Sequence, residues 1–125
     1  MRNIAFLFLF AILSSCASQK FVETDLYFGM SKNDGTIISD SAWNVFVEAN
    51  IAHTFYKGFT IVSGQGKWLD EKNKKVYTEP SHVVVSVNKM NKNLSVKIDS
   101  LRAAYKNVFQ QESVLRVDKK VKVSY

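Results

Sequence analysis

Cysteine occurs once in this chain of 125 residues, proline once and histidine twice. A single thiol excludes an intrachain disulfide and any CxxC redox or metal motif. One proline and five glycines exclude collagen-like and proline-rich low-complexity architectures. His53 and His82 show no HxH or HxxxH spacing, so no metal-ligand pattern exists. There is no GxSxG. Ser81 precedes His82, but neighbours on a strand point to opposite faces, which argues against a nucleophile–base pair. Gly64-Gln65-Gly66 has Leu69 where a GxGxxG needs its third glycine, and no helical pattern follows. No cofactor, no metal and no catalytic residue is therefore expected.

What is present begins with a leader. Met1-Arg2-Asn3 is a short basic start, and Ile4 to Leu13 is an unbroken apolar run. That run spans only about half of a ~30 Å hydrocarbon core. A basic start, a short apolar run and then small residues is the layout of a secretory signal. Leu13-Ser14-Ser15-Cys16 resembles the lipobox of bacterial lipoproteins. The resemblance implies cleavage before Cys16, diacylglycerol on its sulfur and acylation of the new amino terminus. Two alternatives stay open: an ordinary cleaved signal ending at Ala17, and an uncleaved anchor or buried hydrophobic segment. The lipoprotein reading explains an otherwise unpartnered exported thiol, and two or more acyl chains anchor durably where one does not.

The expected organisation is a lipoprotein signal peptide over 1–15, a lipidated tether over 16–20 and one domain over 21–125. The four residues from Ala17 to Lys20 reach ~14 Å at most, which holds the domain near the bilayer. No Asp follows Cys16, so the expected location is the bacterial cell envelope, anchored in the outer membrane and facing the periplasm.

Seventeen Lys and Arg against eleven Asp and Glu give +6, and +5 once Arg2 leaves with the leader. A well-solvated surface accounts for that charge. A sharper reading is attraction to anionic lipid head groups, at roughly 1 kcal/mol per well-placed cation. Lys57 to Val62 (KGFTIV) loosely echoes an RNA-binding strand, but Ser63 or Gly64 stands where its second aromatic belongs. Nucleic acid is not an expected partner.

In the mature chain, Lys20 to Gly29 alternates with period two and reads as a strand. Ser31 to Gly35 is a loop. Ser39 to Ser41 offer caps for a helix to about Thr54, with Trp43, Phe46, Val47 and Ile51 on one stripe. Phe59 to Leu69 reads as a second strand whose Gly64 and Gly66 suggest a bulge or bend. Val76 to Lys89 reads as a third, with regular pairing expected only after Pro80. Asn91 to Asn93 cap a helix from about Leu94 to Gln110, its stripe carried by Leu94, Ile98, Leu101, Tyr105 and Phe109. Glu112 to Tyr125 alternates strongly. Its odd positions (Leu115, Val117, Val121) are apolar and expected to be buried; its even positions (Arg116, Asp118, Lys120) are polar and expected to be wet.

Strand, helix, strand, strand, helix, strand is the ferredoxin-like α+β order, βαββαβ. Both helices would cover one face of a single antiparallel sheet. The other face would stay open, with Phe21, Tyr27 and either Trp68 or His82 on it, and open apolar area marks an interaction site.

Several short runs carry a family resemblance: Leu26-Tyr27-Phe28-Gly29, Trp43, Gly66-Lys67-Trp68, Glu79-Pro80-Ser81, Arg102-Ala103-Ala104-Tyr105-Lys106, and above all Gln111-Glu112-Ser113-Val114-Leu115-Arg116-Val117. Over about residues 24 to 125 the chain resembles the bacterial family known as domain of unknown function 3574. The resemblance implies a small exported protein, often with a lipoprotein-type signal, and brings no activity or catalytic residues. Gln110 departs from the pattern, which has glycine there.

Two function classes remain. The leading one is a non-enzymatic binding or assembly module that uses the open sheet face for an envelope protein partner or a homodimer. The alternative is a small dimeric α/β-barrel-like enzyme or small-molecule binder with a pocket on that face. The candidate binding residues are Tyr27, Trp68, His82, Arg102, Tyr105, Glu112 and Arg116. Glu112, held by Arg102 or Arg116 near Tyr105, is the candidate acid–base or ligand-anchoring group.

Overall fold

The computed structural model describes residues 20–125. The leader, Cys16 and all of the tether except Lys20 lie outside the described residues. Strand β1 (Phe21–Gly29) leads to helix α1 (Asp40–Phe46). The helix runs on through a π-helical turn (Val47–Ile51) into a last short turn, α2 (Ala52–Thr54). Then follow β2 (Thr60–Asp70), β3 (Lys75–Lys89), α3 (Lys92–Phe109) and β4 (Leu115–Val121). The strands form one sheet in the order β2-β3-β1-β4, and every neighbouring pair is antiparallel. This is the ferredoxin-like α+β fold.

Local chemistry sets the element ends. The Ser39 hydroxyl accepts from the Ala42 amide and starts α1; the Asn91 side chain accepts from the Leu94 amide and starts α3. Each satisfies an amide that the first helical turn would leave orphaned. Helix α3 stops at Gln110, which is left-handed at φ 55°.

The core lies between the helices and one sheet face. Leu26 and Phe28 of β1 and Val84 of β3 project into it, against Trp43, Phe46 and Ile51 from the first helix and Ile98, Leu101, Tyr105 and Phe109 from α3. Phe28 is its centre: its ring lies 5.3 Å from Trp43, 4.7 Å from Tyr105 and 6.4 Å from Phe46, within the range of favourable aromatic pairs. Both apolar helical stripes read from the sequence point inward.

Three local expectations are corrected. Gly64 and Gly66 make no bulge: Gly64 pairs with Ser81 and Gly66 with Glu79 in unbroken register. Pairing also runs straight through Pro80, which faces Gln65. The Met30 amide donates to the Pro80 carbonyl at 2.9 Å. The polar edge of Pro80 therefore faces the end of β1, and its missing N–H removes no bond to β2.

The third correction inverts β4. Leu26 pairs with Arg116 and Thr24 with Asp118, while Tyr27 pairs with Leu115 and Asp25 with Val117. Register thus puts the polar stripe of β4 under α3 and the apolar stripe on the open face. The Arg116 side chain is 12% exposed, whereas Leu115 is 58% exposed. Beneath α3, Arg116 is satisfied by donating to the Ser95 carbonyl and hydroxyl, to Asp99 and to Asp118, which is how a long cation tolerates burial.

Candidate functional site

On the open face, alternate residues of all four strands come together. Tyr27 sits between Val83 and Leu115, Asp25 between Val85 and Val117, and Glu23 between Val87 and Lys119; Val62 extends the row beyond Val83. Phe21 lies at the end where the chain enters, between Lys89 and Val121. The face is thus mostly valine with aromatics and one charged island. In that island Lys119 Nζ is 2.8 Å from both Asp25 Oδ2 and Glu23 Oε1. Bonds first from Asp25 and then from Glu23 hold the Lys119 ammonium well above the ordinary lysine range. Asp25 is buried, and its other oxygen, Oδ1, has no hydrogen-bond partner among the described residues.

At the opposite end β2 and β3 outrun β1. The pairing of β3 with β1 stops at Gly29–Ser81, yet β2 and β3 pair with each other up to Asp70–Lys75. The overhang is a two-stranded arm carrying apolar side chains on both faces. Trp68 stacks on Tyr77 at 4.6 Å on one, and Leu69 and Val76 stand exposed on the other. Isolated two-stranded ribbons are marginal in water, so the stacked rings and the continuous ladder hold the arm.

The base of the arm carries the most unusual polar arrangement. Gly29 ends β1. A Cβ placed there would stand 3.2 Å from both carboxylate oxygens of Glu79 and 3.3 Å from Gln111 Oε1. The amide orientation of Gln111 is fixed, because its Nε2 donates to the Ser31 carbonyl at 2.7 Å, a bond its oxygen cannot make. Three acceptor oxygens therefore converge on one spot. Beside it, Gly66 faces Glu79 and Gly64 faces Ser81, so on this face β2 carries no side chain opposite Glu79 or Ser81. Behind it, Tyr105 donates its hydroxyl to the Gly29 carbonyl at 2.7 Å. Burial, then the charge of Glu79, push the Tyr105 phenol well above the ordinary tyrosine range.

The candidate residues read from the sequence separate into distinct places. Tyr27 and Trp68 are on the open face. His82 is not: it stacks on Trp43 at 4.8 Å on the helix-covered side, where Ser63 Oγ lies 3.1 Å from its Nδ1. This Ser–His contact crosses strands rather than joining neighbours, and among the described residues no carboxylate completes it as a triad. Arg102 and Arg116 converge on Asp99, at 2.9 and 3.1 Å, and Arg102 Nε also donates to the Val114 carbonyl. Glu112 is exposed, and the carboxylates these arginines bond are Asp99 and Asp118. Bonding first to Arg102 and then to Arg116 holds the Asp99 carboxyl below its ordinary range. Burial lowers the Arg116 pKa, but bonds to Asp118 and Asp99 outweigh it and leave the guanidinium above its ordinary value. Tyr105 belongs to the core with its hydroxyl aimed at Gly29. Glu79, Gln111, Asp25 and Lys119 were not candidates. Only register and the missing side chain of Gly29 reveal them, although Glu79 and Gln111 both lie within the runs that carry the family resemblance. Among the described residues no group of three or more His, Cys, Asp or Glu is placed to hold a metal, and no helix is long and apolar enough to cross a membrane.

The chain belongs to the family described as Protein of unknown function (DUF3574), whose pattern matches residues 23–125. No curated protein matches the sequence. Solved structures do match the fold. One is a phage SAM lyase in complex with S-methyl-5′-thioadenosine, with a TM-score of 0.63 at 14% identity over 81% of each chain. Another is phage SAM lyase in the apo state, with a TM-score of 0.61 at 16% identity over 83% of each chain. At such identities the likeness is one of fold.

Proposed function

We propose that this chain is a lipid-anchored bacterial envelope protein whose domain works as an assembly module, its open sheet face covered by a second copy of itself. The carrying observation is the composition of that face: a continuous row of valine, tyrosine and leucine on a sheet with helices on one side only. Sheets pack face to face about 10 Å apart through such rows. Four strands of about nine residues make a face of roughly 19 by 30 Å. Side-chain relief brings this toward the ~800 Å² per partner of a stable interface, with the arm left outside it. A second copy is the favoured occupant because the face is self-complementary: it offers the same apolar row from both sides, and each charged island brings a Lys119 toward the other's Asp25 and Glu23 carboxylates.

Attachment through Cys16 rests on the lipobox-like Leu13-Ser14-Ser15-Cys16. The position of β1 supports it. Lys20, Lys89, Lys120 and Lys122 lie at the same end of the sheet as Phe21, so the end nearest the tether is basic and suited to anionic head groups.

The test is the mass of the lipoprotein extracted from membranes in mild detergent. Two or more copies per particle are expected, falling to one in Val85→Lys with the fold retained. A single copy in the unsubstituted protein overturns the assembly reading. Intact-mass analysis showing an unmodified residue 16 overturns the anchor.

A further inference from the structure

We infer that the glycine-floored bay at the base of the arm is a binding site for a small organic cation, an ammonium joined by a short spacer to a flat ring. The first reason is the acceptor trio. Both oxygens of Glu79 and Oε1 of Gln111 lie within 3.3 Å of the point that a side chain on Gly29 would occupy. A carboxylate and an amide oxygen aimed at one neighbourhood attract a donor placed over them. Because Gln111 Nε2 is committed to the Ser31 carbonyl, the amide cannot turn to supply that donor itself. An ammonium has three N–H donors and no acceptor, which is the complement of this trio.

The second reason is independent of the first. Glu79 and Tyr77 are two residues apart on one strand and share a face, so they are separated by about 7 Å. Trp68, paired with Tyr77, is 53% exposed. On β2, Gly66 stands opposite Glu79 and next to Trp68 on this face, and Gly64 stands one step further on, opposite Ser81. A Cβ at Gly66 would make only ordinary contact, 3.6 Å from Glu79 Cγ, and one at Gly64 would come no nearer than 4.0 Å to Ser81 Oγ. Sterics do not demand glycine at either position, and Gly is a poor strand residue. Bare floor beside an exposed indole leaves room for a ring to lie against Trp68, while the cation reaches the carboxylate. Carboxylate and aromatic face together select cations over neutral rings. The site stands on one copy of the chain and does not depend on self-association.

Tryptamine is the probe, with indole-3-propionate as a control of similar size and opposite charge. Both are titrated to about 10 mM, which reaches millimolar dissociation constants, against the isotope-labelled full chain in detergent, followed by amide NMR. Saturable shifts at Gly29, Gly66, Glu79 and Gln111 with tryptamine alone are expected. Glu79→Gln should weaken binding by about tenfold or more, the scale of losing a charge-assisted bond. Trp68→Leu, at an exposed position, should also weaken it, and Glu48→Gln, exposed on the helical side, should leave it unchanged. The inference is overturned if shifts are absent, if they map away from the arm, if the propionate binds equally, or if a folded Glu79→Gln chain keeps full affinity.

Discussion

The two faces of this sheet come from the same four strands, yet they are chemically unlike. Toward the helices, β1 presents Thr24, Leu26 and Phe28, all essentially inaccessible, and the aromatic cluster around Phe28 locks both helices to the sheet. Toward the open side the same strand presents Glu23, Asp25 and Tyr27, flanked by valines. The contrast separates what folds the chain from what the chain offers to others. Large interdigitated rings fix one arrangement, whereas a flat valine row with one ion-paired island is a surface suited to association.

The sharpest way to break that contrast is a matched pair of truncations. Phe28→Ala removes the ring shared by Trp43, Phe46 and Tyr105 and should cost about 3–5 kcal/mol. Val85→Ala, on the opposite face of the neighbouring strand, should cost about 1 kcal/mol or less in dilute protein, because its methyls are only partly withdrawn from water. Chemical denaturation of both variants checks this; comparable losses would mean that the open face is already part of the core.

Tyr105→Phe comes next. It leaves the ring in place but strips the Gly29 carbonyl of its hydroxyl donor, for an expected loss of about 1–2 kcal/mol. The pH dependence is more telling. Burial and the charge of Glu79 raise the phenol pKa in the folded chain. The resulting stability is complete below the ordinary unfolded value of about 10 and is lost as pH rises beyond it. Unfolding curves at alkaline pH should therefore be flatter in Tyr105→Phe than in the unsubstituted protein. An equal alkaline slope in both would mean that the phenol is not withdrawn from water in the folded chain.

How much of this was legible in the sequence follows from what periodicity carries. Element order, the fold and both helical stripes could be read, because apolar spacing at 3.6 and 2 reports directly which side is buried. The face assignment of β4 could not. Leu115, Val117 and Val121 alternate as a buried stripe should, but register with β1 turns them to the open side, and alternation alone cannot say which side has the helices. His82 was misplaced for the same reason. Pro80 and the two glycines were read as interruptions, since a sequence does not show that β1 ends just where the proline nitrogen faces it. The bay at Gly29 was illegible, because Glu79 and Gln111 lie 32 positions apart and meet only through the sheet.

Gln110 is a case where the sequence departure was visible and its meaning structural. It occupies the left-handed position that ends α3, where a side chain is strained and glycine is not. Gln110→Gly should raise stability by up to about 1 kcal/mol, read as a higher denaturation midpoint with an unchanged slope. No gain would mean that the glutamine side chain offsets its backbone strain through contacts of its own.

The smallest effect is expected where each face has its charges. The helix-covered side has Asp99 bridging Arg102 and Arg116 at its rim, and the open side has Lys119 bridging Asp25 and Glu23. Asp99→Asn weakens two ion pairs, but the Asp99 side chain is 55% exposed. Solvent screening therefore holds the loss below about 1 kcal/mol. Its sign with pH is fixed by the lowered pKa. The contribution is present above the ordinary 3.8 of an aspartate and disappears as pH falls through the lower native value. The substitution should thus flatten the acid limb of the stability curve and leave neutral pH nearly untouched, with the difference shrinking further in high salt. A loss of several kcal/mol at neutral pH would instead mean that Arg116, inverted under α3, depends on Asp99 as its principal counter-charge rather than sharing itself among Asp118 and Ser95.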